Sequence, residues 1–264
     1  MTIDPELQSA HAALVQQFDA VNGAQSNDNN VLASIGSQLA MLKVMLTERD
    51  ILYPQQSDVQ QHKDALVLTR EVLEIGALWS IRVQDTSSFD RYWSQLKPFY
   101  LDLVHALPLS KNYEPIVGLS LLRSLSSNSI ASFHIALESL PMELVRDSPY
   151  IQHPVLLERW LMEGSYSNVW RERENVPLEE YRFFVNILMV TIRHEIASCE
   201  EKAYDTLPLN DVATLLFLDS LPEVLEFAKE RGWHVSPTNQ TIEIANKAVE
   251  PTSENDRIPT RSTI

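Results

Sequence analysis

The segment Glu163-Gly164-Ser165-Tyr166 places a serine hydroxyl beside a carboxylate, two residue types that could supply a nucleophile and an acid. A serine nucleophile of the G-x-S-x-G type stands in a turn from a strand to a helix, with a second glycine two residues later. Here Gly164 precedes Ser165 directly, no strand pattern comes before it, and position 167 is serine. Gly164 instead suits the φ > 0 residue that ends one helix, and Ser165 or Tyr166 begins the next. We therefore predict a structural elbow at Gly164 and Tyr166.

Histidine and cysteine are the other residue types whose spacing could support chemistry. His194-Glu195 resembles the start of the zinc-protease motif H-E-x-x-H, but Ser198 stands where the second histidine would be. None of the seven histidines forms an H-x-H pair, and one cysteine cannot build a thiolate zinc site. That cysteine, Cys199, follows apolar helical spacing and is predicted to be a buried small hydrophobe. The sequence predicts no metal site.

Glycine and carboxylate patterns give no further support for catalysis. The six glycines are isolated from one another by more than ten residues, so no phosphate-binding loop is present in the sequence. The carboxylates lie on predicted helix surfaces beside basic residues, which is typical of solvated faces. We predict no catalytic residue and no cofactor. An enzyme that uses carboxylates outside any known motif stays the alternative hypothesis.

Composition restricts the class of partner. The chain has 264 residues, 44% of them hydrophobic, and a formal net charge of −15. This charge repels phosphate backbones and anionic lipid, so we expect neither nucleic acid nor membrane as a partner. One cysteine, no signal-peptide pattern and no uninterrupted apolar run of roughly 20 residues predict a soluble protein of a reducing, intracellular compartment.

Helical periodicity dominates the first two thirds of the chain. One stripe in the segment 59–82 has steps of three and four residues, and a second stripe lies on a neighbouring face. The first stripe consists of Ala65, Leu68, Val72, Ile75 and Trp79, and the second of Leu66, Leu73 and Ala77. A helix that is apolar on two faces needs cover on two sides, which predicts an inner helix of a layered stack.

Three similar segments suggest a repeat. In each, a serine precedes an aromatic residue, with a large apolar residue one turn later; the aromatics are Phe89, Phe133 and Tyr166. They lie 44 and 33 residues apart (133 − 89 and 166 − 133), in the range of helix-pair repeats. We predict a mainly α fold, with a right-handed, TPR-like stack of helical hairpins over residues 1–176. A non-repetitive helical domain is the alternative.

The last third follows a different pattern. Pro177 is predicted in the first turn of a long helix, and a short helix capped by Asn210 or Asp211 follows. Ser220 and Glu223 have capping-box spacing, and Gly232 stands where that next helix should stop.

Two short alternating segments then predict a β-hairpin, through Trp233 and Val235 and through Ile242 and Ile244. Helices followed by a hairpin predict a winged-helix subdomain at residues 177–245, and residues 246–264 are predicted to be a flexible tail.

A winged helix raises the hypothesis of DNA binding. The helix over 222–231 carries three glutamates against Lys229 and Arg231, so it lacks the basic face that phosphates require. Protein contact suits it better. We predict that the hairpin residues Trp233, Val235, Ile242 and Ile244 form a partner interface, at which a strand edge pairs with the same edge of another chain.

Five strings between about residue 60 and residue 240 resemble a known family. They are EVLEIGALWSI, SFDRYWSQLKPFY, LERWLMEGSYSNVW, TIRHEIASCEEKAY and FAKERGWHV. In this order they are similar to the family of non-ATPase subunit twelve, a PCI-domain protein of the proteasome regulatory particle lid.

The resemblance implies a non-catalytic scaffold that contacts other lid subunits through PCI–PCI contacts and the base of the regulatory particle, in cytoplasm and nucleus. It also implies a role in lid assembly and lid–base joining for ubiquitin-dependent protein degradation. The alternative is a PCI subunit of the signalosome or of the translation initiation complex.

Overall fold

The structure is a computed structural model, which describes residues 5–24, 29–49, 51–52, 62–104, 106–218, 220–236 and 241–244. These residues are mainly helical, as predicted. The helices are α1 (Pro5–Ala24), α2 (Asn29–Glu48), α3 (Lys63–Arg82), α4 (Thr86–Leu101), α5 (Tyr113–Ser126), α6 (Ile130–Glu138), α7 (Met142–Asp147), α8 (Pro149–Met162), α9 (Tyr166–Glu172), α10 (Glu179–Ala203), α11 (Leu209–Leu215) and α12 (Leu221–Arg231). The strands are β1 (Thr206–Pro208), β2 (His234–Ser236) and β3 (Thr241–Glu243).

The chain divides into two compact units, residues 1–188 and 189–264, here called the first unit and the second unit. The division falls inside α10, whereas the sequence suggested a boundary between 176 and 177. The start of α10 belongs to the first unit because its aromatic side chains pack there. The Tyr181 hydroxyl donates to the carbonyl of Pro115 at 3.0 Å, and the Phe184 ring meets Phe89 edge-on at 5.1 Å. Pro177 precedes the helix by two residues, so its predicted place in the first turn is wrong.

Helix α3 is covered on two faces, as its two apolar stripes predict. Every residue of both stripes is buried except Trp79, which is partly exposed. The Trp79 indole Nε1 donates to the backbone carbonyl of Leu32 in α2, at 2.8 Å. Both α2 and α4 pack on α3, which makes α3 an inner helix.

The three predicted aromatic positions stand near the start of a helix that packs on an earlier one. The pairs are α3 with α4, α5 with α6, and α8 with α9. Phe89 and Phe133 are fully buried in α4 and α6. In α9 the buried residue is Val169, while Tyr166 is only partly buried, so the third segment differs from the other two.

The elbow between α8 and α9 has the geometry of a left-handed helix stop. Gly164 has φ +70°, and the amide of Ser165 donates to the carbonyl of Trp160 at 2.8 Å. This bond satisfies a carbonyl that the end of α8 leaves without an intrahelical partner. Helix α9 then begins at Tyr166.

The helices of the second unit differ in detail from the sequence prediction. Helix α11 begins at Leu209 after the extended residue Pro208, so the predicted caps at 210 and 211 are wrong. Ser220 does precede α12, but its side chain makes no capping hydrogen bond. Gly232 ends α12 with φ +75°. The predicted turn at 237–240 and the predicted tail at 246–264 lie outside the described residues.

Candidate protein-interaction edge

The second unit contains a three-stranded antiparallel sheet in the order β1-β3-β2. The predicted hairpin is present as β2 and β3, and β1 was not predicted. Ile242 in β3 is paired with Leu207 of β1 on one side and with Val235 of β2 on the other. Strand β3 is therefore the central strand of the described sheet, and β1 and β2 are its two outer strands.

Three of the four predicted interface side chains lie in the core of the second unit. Trp233, Ile242 and Ile244 are at most 6% exposed, and Val235 packs against the same cluster while keeping partial exposure. The placement of the predicted interface is corrected accordingly, because a central strand has no free edge and its apolar face is covered by helices. An interface at this sheet would use the backbone of β2, and that interface stays a prediction.

The two outer strands differ in their ability to pair. Strand β1 ends in Pro208, which has no N–H to donate, and α11 starts at the next residue. Strand β2 contains no proline, and among the described strands only β3 lies beside it. His234 on β2 is exposed. The β2 edge is thus the better of the two for pairing with a further strand.

Contacts from α10 hold the turn that leads into β2. The Trp233 indole Nε1 donates to the Glu201 carboxylate at 3.0 Å, and its ring meets Phe227 edge-on at 5.8 Å. Arg231 donates to Ser198 Oγ at 3.1 Å and to the backbone carbonyl of His194. These contacts fix the direction in which the chain leaves α12, and so they position β2.

The exposed side of α12 is acidic. Glu223, Glu226 and Glu230 are exposed, whereas Arg231 turns inward to an ion pair with Glu201 at 3.7 Å. This leaves Lys229 as the exposed cation of the helix. A phosphate backbone would meet net negative charge there, so this face favours a protein partner over nucleic acid.

Comparison with known proteins places the chain in a family. The model of the CSN8/PSMD8/EIF3K family matches residues 111–254, which include the whole sheet and α12. The chain belongs to the CSN8/PSMD8/EIF3K family.

Relatives that are named as 26S proteasome regulatory subunits align over most of the chain. The 26S proteasome regulatory subunit RPN12 of Saccharomyces cerevisiae is 33% identical over 238 residues, covering 88% of this chain and 85% of that protein. The 26S proteasome non-ATPase regulatory subunit 8 homolog A of Arabidopsis thaliana is 36% identical over 236 residues, with the same two coverages. The 26S proteasome regulatory subunit rpn12 of Schizosaccharomyces pombe is 38% identical over 199 residues, covering 75% and 71%.

His194 and Cys199 are the histidine and the cysteine considered above for chemistry, and the structure shows what surrounds each of them. The described residues contain no group of three or more His, Cys, Asp or Glu side chains that could hold a metal ion. The His194 ring lies beside Phe227 at 5.3 Å. Cys199 is exposed, so its predicted burial is wrong. The apolar series that includes Leu188 and Ile192 gives way to Ala197 and Glu200 as the buried positions, which turns Cys199 outward.

Two buried titratable groups of this family member could not be found from sequence patterns. Burial raises the pKa of Glu200 to about 7, and neither of its oxygens has a hydrogen-bond partner among the described residues. Burial lowers the pKa of His153, whose two ring nitrogens also lack such partners. His153 lines a groove of about 520 Å³ between α8 and residues 172–177, an open and largely apolar feature. Among the residues that the structure describes, no nucleophile with an oriented base of the kind that acyl transfer requires lies beside either group.

Proposed function

We propose that this chain is a non-catalytic scaffold subunit of the proteasome regulatory particle lid. The observation that carries the proposal is the alignment of relatives named as 26S proteasome regulatory subunits over 75–88% of the chain, which spans both units. Such a subunit acts through surfaces, in lid assembly and in joining the lid to the base for ubiquitin-dependent degradation. We expect it in cytoplasm and nucleus.

The proposal includes a finer interpretation of the fold. We interpret the first unit as a right-handed, TPR-like stack, supported by the successive packing of α3 with α4, α5 with α6 and α8 with α9. We interpret the second unit as a winged helix, supported by two helices that precede the β2–β3 hairpin and share one core with it. Together they make the plan of a PCI domain.

We further propose that the β2 edge joins this subunit to a sibling PCI subunit by strand addition. Main-chain hydrogen bonds supply most of the affinity in this mode, so burial of Ile242 and Ile244 does not oppose it. Those side chains keep the sheet rigid, while β2 offers its outer backbone groups. The base of the regulatory particle would be reached by other surfaces.

The alternative within the same family is a PCI subunit of the signalosome or of the translation initiation complex. The family description includes CSN8 and EIF3K beside PSMD8, so the family match alone does not choose among them. The relatives favour the proteasome, because the three described above all have proteasomal names.

Quantitative affinity purification would test the assignment. The full chain, tagged at its N-terminus and expressed at native level, should recover the subunits of the regulatory particle in stoichiometric amounts by mass spectrometry. Recovery of signalosome or translation initiation subunits instead would establish the alternative. Recovery of none of these would contradict the scaffold proposal.

Two proline variants would test the β2 edge. Neighbouring residues of a strand direct their N–H groups to opposite sides. Of the two variants His234→Pro and Val235→Pro, one therefore removes an inward N–H, which points to β3, and the other removes an outward N–H, which points away from β3 at the β2 edge. The outward variant should keep the melting temperature and lose recovery of the lid, whereas the inward one should lower the melting temperature. Normal lid recovery by both variants would place the interface elsewhere.

A further inference from the structure

Helix α2 has one buried face and one exposed face that no described element covers. Its buried face packs against α1 and α3. That face consists of Leu32, Ile35, Leu39, Leu42 and Leu46. We call the opposite, exposed face the outer stripe of α2. It consists of Asn30, Ala33, Ser34, Ser37, Ala40, Met41 and Val44.

The outer stripe is uncharged and includes two large apolar side chains. Met41 is 62% exposed and Val44 is 58% exposed. Over the whole chain 22% of residues are charged, yet the only charged residue from position 30 to position 47 is Lys43. Large exposed apolar side chains on a surface without charge are typical of an interaction site.

Even Lys43 does not give the outer stripe a charge. Its Nζ lies 3.6 Å from the centre of the Tyr92 ring, on the side of α2 that faces the rest of the first unit. The ring attracts the ammonium group, and burial lowers the pKa of Lys43 to about 8. The stripe thus runs from Asn30 to Val44, about four helical turns, and none of its own side chains is ionisable.

The spacing within the stripe fits another helix. Ala33, Ser37, Ala40 and Val44 follow one another in steps of four, three and four residues, which is the seam along which two helices pack. The seam residues are small, so a second helix can approach closely, near the lower limit of the roughly 8–10 Å found between packed helix axes. A helix in that position needs large aliphatic side chains to fill the shallow seam.

Charge argues against a second copy of this chain as the occupant. Each copy has a net charge of −15, and the uncharged stripe offers no salt bridge to offset the repulsion between two such chains.

A bilayer is a poorer fit than a protein helix. By length and composition alone, Asn30–Glu48 is apolar enough to cross a membrane. However, four leucines and one isoleucine supply most of that hydropathy, and these five side chains are buried within the first unit. The exposed face has Asn30, Ser34 and Ser37 where an interfacial helix would need aromatic and basic anchors.

We propose that the outer stripe of α2 is a docking surface for an α-helix of a different protein, whose contacting face is uncharged and rich in large aliphatic side chains. This surface lies in the first unit and is distinct from the β2 edge. It does not depend on which complex contains the chain.

Site-specific photo-crosslinking of the full chain in cells would test the proposal. Benzoylphenylalanine replaces Met41 in the stripe, or Ser94 on the exposed side of α4 as a control position. The crosslink from position 41 should map to a helical segment of another protein, with an uncharged aliphatic face. The control position should give no crosslink to that segment.

Two matched glutamate variants sharpen the test. Ser37 and Ser94 are both exposed, and each hydroxyl donates at 2.8 Å to a carbonyl of its own helix, that of Ser34 and that of Asp90. Combined with the crosslinker at position 41, Ser37→Glu should lower the crosslink yield at least about tenfold, because docking would desolvate an unpaired carboxylate. Ser94→Glu should leave the yield unchanged. Both variants should melt at the wild-type temperature.

Several outcomes would overturn the proposal. Crosslinks only between copies of this chain would make the stripe a self-association surface. Flotation of the purified chain with phosphatidylcholine–phosphatidylserine vesicles, lost in Ser37→Glu, would make it a membrane surface. No crosslink from position 41, or equal yields in the two glutamate variants, would remove the docking site.

Discussion

Glu74 in the first unit and Glu200 in the second are both buried carboxylates, and they differ in what surrounds them. Glu74 is 1% exposed and accepts hydrogen bonds from the hydroxyls of Tyr100 at 3.0 Å and Ser110 at 2.7 Å. The side-chain amide of Asn112 donates to it at 3.2 Å, and Arg70 Nε lies 3.4 Å away. Glu200 is 5% exposed, and its oxygens have no hydrogen-bond partner among the described residues.

The comparison between Glu74 and Glu200 shows that a buried carboxylate stabilises a fold when it has hydrogen-bond donors and a counter-charge. Burial raises the pKa of both glutamates, and at Glu74 the three hydrogen bonds and the Arg70 guanidinium oppose that rise. Those partners come from α3, α4 and the segment before α5, so the Glu74 carboxylate ties three parts of the first unit together. Glu200 has no such partners in the described part of the chain, so its burial costs stability without a compensating contact there.

The same substitution at the two sites should have opposite effects, and the larger effect is expected at Glu74. Glu74→Leu leaves the buried Arg70 without its counter-charge and removes the acceptor for three donors. We expect a loss of about 3–5 kcal/mol in the free energy of unfolding, measured by urea denaturation at pH 7.

Glu71→Leu is the matched control, one position from the network. The Glu71 side chain is 45% exposed and pairs with His11 at 3.2 Å, so this change should cost less than about 1 kcal/mol. Adding Arg70→Met to Glu74→Leu should recover part of the loss, because it removes the unpaired charge. A loss at Glu74 no larger than that at Glu71 would show that the network is not a stabilising unit.

Glu200→Leu should instead stabilise the protein by about 1–2 kcal/mol at pH 8, because it removes a buried carboxylate to which no described residue donates a hydrogen bond. The expected pH dependence follows from the raised pKa. The folded state holds the Glu200 proton more tightly than the unfolded state, whose pKa is near the ordinary value of 4.5. The wild type should therefore lose stability from Glu200 as the pH rises from about 4.5 through about 7.

Unfolding of wild type and Glu200→Leu at pH 5 and pH 8 would measure this effect. The gain from the substitution should be larger at pH 8 than at pH 5. Glu201→Leu is the control at the next position, and it should destabilise because it removes the acceptor of the Trp233 indole. A destabilising Glu200→Leu at pH 8 would mean that the carboxylate has a stabilising partner after all.

Neither glutamate could be distinguished from the surface by sequence. Glu74 lies between two apolar stripes of α3, and its burial depends on Tyr100, Ser110 and Asn112, which come 26 to 38 residues later. Local periodicity predicts the face of a helix, and it did so correctly for Val72, Leu73 and Ile75. It contains no information about distant polar partners.

The sequence predicts only part of the candidate edge, because local patterns contain no information about distant partners. Alternation predicts the β2–β3 hairpin, because its two strands are close in sequence. The three residues of β1 lie more than 30 positions before β3 and are too few to show a period, so the central position of β3 could not be foreseen. The exposure of Cys199 was missed because the buried series of α10 changes after Ile192, where the helix passes into the second unit.

The smallest expected effect compares the two units at their left-handed glycines. Gly164 in the first unit has φ +70°, and Gly232 in the second has φ +75°. A Cβ atom added at either position would meet no atom within 4 Å, so alanine there introduces backbone strain and no steric clash. Gly164→Ala and Gly232→Ala should each cost about 1 kcal/mol, and asparagine at either site should cost less because it tolerates this conformation.

Equal costs at the two glycines would show that the same backbone strain lowers the free energy of unfolding by the same amount in both units. The opposite effects at Glu74 and Glu200 would then come from their side-chain partners, not from a general difference in stability between the units. An unequal pair would have another meaning. If Gly232→Ala cost clearly more, the turn into β2 would be more constrained than the elbow, as expected where Trp233 is fixed by Glu201 and Phe227. Chemical denaturation would measure the free energy of unfolding of the alanine and the asparagine variant at each of the two glycines. A cost that is smaller with asparagine than with alanine is due to backbone strain, because asparagine tolerates this conformation, whereas a cost from lost packing would not be relieved by asparagine.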